Sequence, residues 1–471
     1  MNLFYLKKEC LFIVKKIVTK KNIIMVDSKA LINELKERGF EGTVLGNVKE
    51  ALDSGSSVYI GTDPSSIKAE NRNPKFPNVT SSLHVGHLSA FMAAKIFAKY
   101  GVKVIVLVGG CTAKMGDPSG KTSDRALLSY DEIDNNARCI KNQLSKLFDF
   151  DNGKENSPII VNNNDWMDDY SFVNFARNVG KFLTVNYLMA KDSIKSRFER
   201  DGNGISVLEF LYQLVQANDF LYLREKYNCK IQLCGMDQIG NTTTGQELAR
   251  KSKGLTDLCG YFIPLVCDEN GNKFGKSENG KAVFLDAALT TPYEFYQFWL
   301  NQSDSMAEQL IKKFTMLELD EINSMIEEHK KNPANRLLQK ELAKYMTIMI
   351  HGEEEYNKAI NASNILFGKG TKEQLSSIDE NTLLSVMSGV NKVTLNKSEL
   401  DDGIGVIDIA VKHDKIPSKG EARKLIKANG FSINKEKVSN EKAIIDSSSL
   451  IGGKYLLLQK GKKDYTLAIA N

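Results

Sequence analysis

At 471 residues, 42% hydrophobic and 26% charged, the chain is too long for one compact core and too apolar to be disordered, which implies two to four globular domains. No stretch approaches about eighteen uninterrupted apolar residues, so no membrane span is expected. The net charge of +5 is uneven: residues 405–471 hold 13 Lys+Arg against 7 Asp+Glu, residues 1–24 are Lys-rich, and the body between is acidic, a layout that suits a polyanionic partner held by one end.

Residues 1–24 interleave six lysines with apolar residues. Lys15 and Lys16 break the apolar core a secretory signal needs. The segment is expected to be an extension ahead of Met25; the alternative is an organellar transit peptide, although arginine is missing and serine scarce. Seven cysteines, at 10, 111, 139, 229, 234, 259 and 267, form no CxxC pair and no zinc spacing, which favours free thiols in a reducing compartment and no protein-bound metal. A cytoplasmic location is therefore expected, or an organelle if residues 1–24 are a transit peptide.

A helix is predicted from Asp27 or Ser28 through Arg38, stopped by Gly39, and a short one over 48–52. Val58, Tyr59 and Ile60 make a buried strand ending at Gly61, and a long polar loop follows Asp63 and Pro64 as an exposed insertion without assigned chemistry. His84-Val85-Gly86-His87 then opens a helix whose apolar positions share one face. Two of the five histidines sit in this tetrapeptide, at a helix start that favours an anion, and Gly86 leaves the backbone open to a ligand. These donors suit charge that builds on a phosphoryl group, so the tetrapeptide is taken as the centre of an active site.

Residues 103–108 form a near-continuous apolar strand of the kind found in covered parallel sheets. It empties into a glycine-rich loop, 109–121, with Thr112 and Asp117, where open α/β sheets bind ligands. A structural turn accounts for the glycines alone; Thr112 and Asp117 point to ligand contact. A helix over 130–148, a strand over 158–161 and a helix over 208–219 follow, the last with Tyr212, Gln216 and Asp219 on one face. A solvated stripe is the plain alternative, which the apolar neighbours Leu211, Leu214 and Val215 oppose. A strand over 230–234 gives way to Gly235-Met236-Asp237-Gln238 and a helix over 239–250, then a strand over 261–266. In the loop 268–280, Lys273 and Lys276 on a glycine-rich frame offer two cations for phosphates; a charged hairpin is the alternative.

From Pro292 to about Leu366 the pattern is helical, broken at Asn332-Pro333. Residues 371–404 are expected to be a linker. The last domain, 405–471, combines a basic amphipathic helix over 419–427 with short strands, a combination suited to phosphate contacts on RNA. Lys419, Arg423 and Lys424 are its candidates.

HVGH after a first strand, with the later Lys273-Phe274-Gly275-Lys276-Ser277, resembles the two signatures of class I aminoacyl-tRNA synthetases. Tyr59-x-Gly61-x-Asp63-Pro64, the GDPSGK stretch, YQLVQAND and GMDQIGN are together similar to bacterial-type tyrosyl-tRNA synthetase, from about Met25 to the end. The resemblance implies an α/β protein: a Rossmann-like parallel-sheet catalytic domain over 25–290, an α-helical anticodon-binding domain over 291–370 and a small α+β, S-four-like RNA-binding domain over 405–471. It implies a tyrosine site of Tyr59, Gly61, Asp63, Thr112, Asp117, Tyr212, Gln216, Asp219 and Gln238, with Tyr59 and Asp219 on the phenol hydroxyl, Tyr212 and Gln216 on the amino group and Gln238 at the carboxylate end. It implies ATP contacts by His84, Gly86, His87, Gly235, Asp237 and Lys276, and pyrophosphate contacts by Lys273, Lys276 and Ser277. The implied partners are tRNA(Tyr), L-tyrosine and ATP with Mg2+ on its phosphates, in a homodimer without a membrane. Ser65, Ala90 and Ile239 depart from the common pattern, as does the length of the connection from Asp63 to Leu83. Another class I synthetase such as a tryptophanyl enzyme, an HxGH nucleotidyltransferase, and an RNA-binding protein without catalysis stay as alternatives. Tyr59 with Asp219, the basic tail, and the intact signatures respectively argue against them.

Overall fold

The six-stranded sheet that carries the site assembles from short apolar runs separated in sequence by helices. The computed structural model describes residues 26–117, 127–192, 194–195, 205–276, 280–367, 370–387, 390–461 and 464–471. The extension 1–24, residues 118–121 of the glycine-rich loop, and Ser277 lie outside the described residues. The strands are β1 (Thr43–Leu45), β2 (Ser57–Thr62), β3 (Val104–Val108), β4 (Ile159–Asn162), β5 (Cys229–Gly235) and β6 (Cys259–Ile263), in the order β1-β6-β5-β2-β3-β4. All neighbours are parallel except β1 on β6. Val104 to Val108 are all buried, as expected for a strand covered on both faces. The strand expected over 261–266 starts two residues earlier and ends at Ile263, because Pro264 has no N–H for the ladder.

The strand order reverses between β2 and β5. Such a switch point opens a crevice beyond the strands' carboxyl ends, and the segments after Thr62 and Gly235 lie there. Four helices supply the remaining site residues or support them: α1 (Ser28–Glu37), α2 (Val85–Lys99), α3 (Tyr130–Leu147) and α4 (Val207–Tyr227). Helix α4 is longer than the expected 208–219. Ser206 caps its start, and Asn228 in the left-handed region ends it. Helix α5 (Ile239–Lys253) follows β5 and closes on Gly254, also left-handed.

The chain divides into two compact units. The first holds the described residues through Leu285 together with Ser303–Leu338. The helical pattern after Pro292 resolves into α6 (Pro292–Leu300), α7 (Asp304–Phe314), α8 (Leu319–Lys331), α9 (Leu337–His351) and α10 (Glu353–Phe367), of which α7 and α8 belong to the first unit. Buried Arg38, just past α1, fastens that helix to the α7–α8 connection. Its guanidinium donates to the Lys312, Thr315 and Leu317 carbonyls at 3.0, 2.9 and 2.6 Å and pairs with Glu34 at 2.7 Å.

The second unit contains Asp286–Gln302 and Gln339–Asn471. Its sheet runs, in chain order, β7 (Asn391–Leu395), β8 (Phe431–Ile433), β9 (Glu436–Lys437), β10 (Tyr455–Lys460) and β11 (Asp464–Ala470), with β7 parallel to β11 at one edge. The linker expected over 371–404 is thus corrected: 391–395 is a sheet strand, and helices form at Lys372–Ser376, Glu380–Val386 and Lys397–Asp402. Helix α11 (Lys419–Lys427) packs Ala422 and Ile426 against Phe431, Leu456 and Leu458 and turns its charges outward.

Candidate active site

At one end of the crevice, buried polar side chains hold one another. Asp219 is 1% exposed; its two oxygens accept from Trp166 Nε1 at 2.8 Å and Asn163 Nδ2 at 3.0 Å. Asn163 also donates to Thr112 Oγ1 at 3.2 Å, and Thr112 donates to Asp63 at 2.7 Å. The other oxygen of Asp63 accepts from the Tyr212 hydroxyl at 2.9 Å. Gly109 makes this possible, since a Cβ there would lie 2.1 Å from both Asp63 Oδ1 and Thr112 Oγ1. Burial raises the Asp219 carboxyl to about 7, against the pull of its Asn163 and Trp166 donors. Burial also pushes the Tyr59 phenol well above its ordinary value, and nearby Asp219 adds to the shift.

Two atoms in this network have no hydrogen-bond partner among the described residues: the buried Tyr59 hydroxyl and Gln216 Oε1. Gln216 lies beside Tyr59 without closing a bond to it. Its amide instead donates to Gln238 Oε1 at 3.1 Å, which accepts from Asn241 as well, at 2.9 Å. Gln238 in turn donates to Asp117 at 2.9 Å and Asp237 at 3.2 Å, so both its amide hydrogens are committed. Gly109 and Asn241 fall inside the glycine-rich loop and the GMDQIGN stretch without a role of their own there; Asn163 and Trp166 were not singled out in the sequence. The polar run Asn162-Asn163-Asn164-Asp165-Trp166 at the carboxyl end of β4 is the one signal that pointed there.

At the other end the backbone does the work. His84 caps α2 in extended conformation. Its Nδ1 accepts from the Gly86 N–H at 3.1 Å, and His87 Nδ1 accepts from the His84 N–H at the same distance. The rings stack with centroids 3.8 Å apart. A ring accepting at Nδ1 must carry its proton on Nε2, so both imidazoles are neutral and can donate from Nε2. Protein walls desolvate both rings and lower both values, His84 further lowering His87, whose outer edge still reaches solvent.

The two signatures touch through their glycines. A Cβ on Gly275 would fall 2.8 Å from Gly86 N, and one on Gly86 would meet the Phe274 carbonyl at 3.1 Å. Gly275 sits at φ +113°, which an L side chain rarely adopts. Hydrogen bonds from Val85 N to Val283 O, Val283 N to Gly275 O and Leu285 N to Leu83 O, 2.9 to 3.0 Å long, seal the contact. Lys273 and Lys276 are exposed on the resulting hairpin. Gly235 precedes Asp237 so closely that a Cβ would lie 2.6 Å from Asp237 Oδ1.

The profile described as tRNA synthetases class I (W and Y) matches residues 78–368, and that of the tyrosine–tRNA ligase SYY-like C-terminal domain matches 383–468. The chain belongs to the tyrosine–tRNA ligase family. Tyrosine–tRNA ligases from Parabacteroides distasonis and Bacteroides thetaiotaomicron are 45% and 44% identical to it over 442 residues, 93% of this chain and 99% of each relative. A C-terminally truncated mitochondrial tyrosyl-tRNA synthetase from Coccidioides posadasii matches with a TM-score of 0.60 at 26% identity, covering 75% of this chain and 99% of that one. The chemistry of the family is ATP-dependent tRNA tyrosylation through an aminoacyl-adenylate, and this chain is a class I aminoacyl-tRNA synthetase. The C-terminal match begins at residue 383 and so takes in strand β7.

Proposed function

We propose that the chain joins L-tyrosine to tRNA(Tyr) with the substrate's phenol hydroxyl between Tyr59 and Asp219. The observation that carries this reading is the buried Tyr59 hydroxyl, without a partner among the described residues beside an Asp219 whose two oxygens are both paired. Such a group costs about 1–3 kcal/mol until something completes it, and a tyrosine hydroxyl does. The ammonium would meet two acceptors: the Tyr212 oxygen, whose proton goes to Asp63, and the partnerless Gln216 Oε1. Gln238, expected at the substrate carboxylate, is spent on Asp117 and Asp237 and acts in this reading as the junction that fixes Gln216.

The tyrosine carboxylate is already a nucleophile and needs no base. It attacks the α-phosphate of ATP; the bond to the bridging oxygen breaks, and pyrophosphate leaves. Catalysis is then positioning and charge stabilisation: His84 and His87 donate from Nε2 at the start of α2, Gly86 admits the phosphates, and Lys273 and Lys276 follow the leaving group. Asp237, beside Gly235, would take the ATP ribose, and Mg2+ would enter on the phosphates. A ribose hydroxyl at the tRNA 3′ end then attacks the adenylate.

Arg423 and Lys424, exposed on α11, are the proposed tRNA phosphate contacts. Lys419 pairs with Asp408 and contributes less. The helices of 291–370 are proposed to meet the anticodon. A homodimer belongs to the same reading, supported by exposed apolar side chains between 127 and 208, among them Leu127, Tyr130, Phe172 and Val207. So does a cytoplasmic location, supported by cysteines that stay free among the described residues. The test is rapid-quench tyrosine activation by His84→Ala and His87→Ala. Activation should slow while tyrosine affinity holds. Normal activation with weakened tyrosine binding would overturn the assignment.

A further inference from the structure

Residues 64–82 separate Asp63, at the end of β2, from the residues that open α2. A connection this long is far beyond the roughly 2–6 residues usual between strand and helix, and it joins the tyrosine end of the crevice to the ATP end. Helix α3 presents a polar face to it at Glu132, Asn135, Asn136 and Gln143. The spacing of three, one and seven keeps these side chains on one side of the helix. Asn136 is fully buried. Its amide donates to the Pro64 carbonyl at 3.1 Å and to Ser66 Oγ at 2.9 Å, while its oxygen accepts from Thr80 Oγ1 at 2.6 Å. One side chain thus ties the outgoing strand of the excursion to the returning one. The Ile67 N–H to Thr80 carbonyl bond, 2.9 Å, and Ser81 Oγ to the Ser65 carbonyl, 2.6 Å, close the same neck. Glu132 accepts from Ser66 Oγ at 2.6 Å and from the Arg72 guanidinium at 2.5 Å.

Gln143, 3% exposed, grips the last residues before the signature. Its Oε1 accepts from the Leu83 N–H at 2.9 Å; Ser82 Oγ lies 3.3 Å from the same oxygen and 2.7 Å from the Leu83 carbonyl. The Leu83 carbonyl accepts from Leu285 N on the opposite side, so the residue preceding His84 is fixed from both directions. Gln143 Nε2 has no partner among the described residues. The side chain is therefore used for its acceptor alone.

We propose that Asn136 and Gln143 are positioning residues of the activation reaction, clamping the neck of the 64–82 excursion so that His84 is held in fixed relation to Asp63. The inference rests on the reading of His84 and His87 as ATP contacts. Neither amide touches a substrate in this account. Each acts through the chain it holds: Asn136 through the neck, Gln143 through the peptide that delivers His84 to the start of α2.

The test is steady-state ATP–pyrophosphate exchange by the full chain with Gln143→Met, Gln143→Glu, Thr80→Val and His84→Ala, alongside tyrosine affinity and melting temperature. Methionine keeps the length of the side chain but removes the acceptor. Gln143→Met should lower kcat roughly 10-fold or more, since small misplacements of aligned groups carry such losses, and leave tyrosine affinity unchanged. Gln143→Glu keeps an acceptor oxygen whether its buried carboxyl is protonated or not and gives up the partnerless amide, so it should restore part of the rate. Thr80→Val releases two bonds of the neck, to Asn136 and from Asn135, at a partly exposed position and should lower kcat in the same direction by less; it serves if Gln143→Met does not fold. A drop in melting temperature with wild-type kcat in both variants would mean the amides merely support the fold, and the proposal is then wrong. It is equally wrong if Gln143→Glu is as slow as Gln143→Met. Wild-type kcat in His84→Ala would instead sink the reading of the signature itself, and the clamp with it.

Discussion

The two ends of the crevice solve different problems by different means. At the proposed tyrosine end, buried side chains hold one another: Asp219 by Asn163 and Trp166, Asp63 by Thr112 and Tyr212. At the ATP end the fixed parts are backbone, with Gly86 against Gly275 and both imidazoles fastened by their own turn, while the cations stay in solvent. A small neutral ring with one hydroxyl needs a dry pocket in which every unmet hydrogen bond counts. A triphosphate needs room, aligned donors and charges that can follow it out. Mutations at the first end should therefore cost stability and tyrosine affinity together, and mutations at the second should cost rate.

The largest separation is expected from Asp219→Ala. It leaves Trp166 Nε1 buried without an acceptor, at about 1–3 kcal/mol, and Asn163 Nδ2 with Thr112 Oγ1 alone. Thermal melts and equilibrium dialysis with tyrosine should fall together; an intact melt would mean the network is not what holds the pocket. The same carboxyl sets a pH dependence. Its folded value, about 7, lies above the ordinary 3.8, so its contribution to stability is fully present below about pH 4 and is lost as pH rises through 7. Wild type should lose stability relative to Asp219→Asn across that window, and parallel melting curves would contradict the assignment.

Gly275→Ala probes the other end. Its Cβ meets Gly86 N at 2.8 Å, and its φ of +113° disfavours any side chain, strain of about 1–3 kcal/mol. Exchange should slow while tyrosine binding persists. A parallel loss of tyrosine affinity would show that the two ends are not separable. The smallest structural effect is expected from Gly61→Ala, whose Cβ finds only Leu107 Cδ2, at 4.0 Å. Stability should stay within about 0.5 kcal/mol, so a rise in the tyrosine KM would report a substrate lying over that position.

How much of this was legible depended on whether the signal was local. The strands of the parallel sheet and the helix opened by HVGH follow from apolar runs, a glycine and a cap, all within a few residues of one another. The polar face of Tyr212, Gln216 and Asp219 was visible because helical spacing alone aligns it. Strand β7 was missed because it is a short, mostly exposed edge strand whose partner, β11, is sequence-distant. Asn163 and Trp166 escaped for a related reason. Their role exists only once α4 brings Asp219 to them, and nothing in Asn162-Asn163-Asn164 says which amide will find a carboxylate. The clamp on residues 64–82 was invisible in the same way: Asn136 and Gln143 look like polar positions on an ordinary amphipathic helix. Lys419 reads in the sequence as a cation for RNA, and its pairing with Asp408 exists only in the fold.

The most direct test of the central claim, that Tyr59 and Asp219 complete the substrate's phenol, is ATP–pyrophosphate exchange with tyrosine and with phenylalanine, in wild type and in Tyr59→Phe. Wild type should strongly prefer tyrosine, because phenylalanine leaves the Tyr59 hydroxyl buried and unmet. In Tyr59→Phe that penalty is gone, and the preference should shrink through a loss of tyrosine kcat/KM together with a gain for phenylalanine. Equal turnover of the two amino acids by wild type, or an unchanged ratio in the variant, would contradict the account.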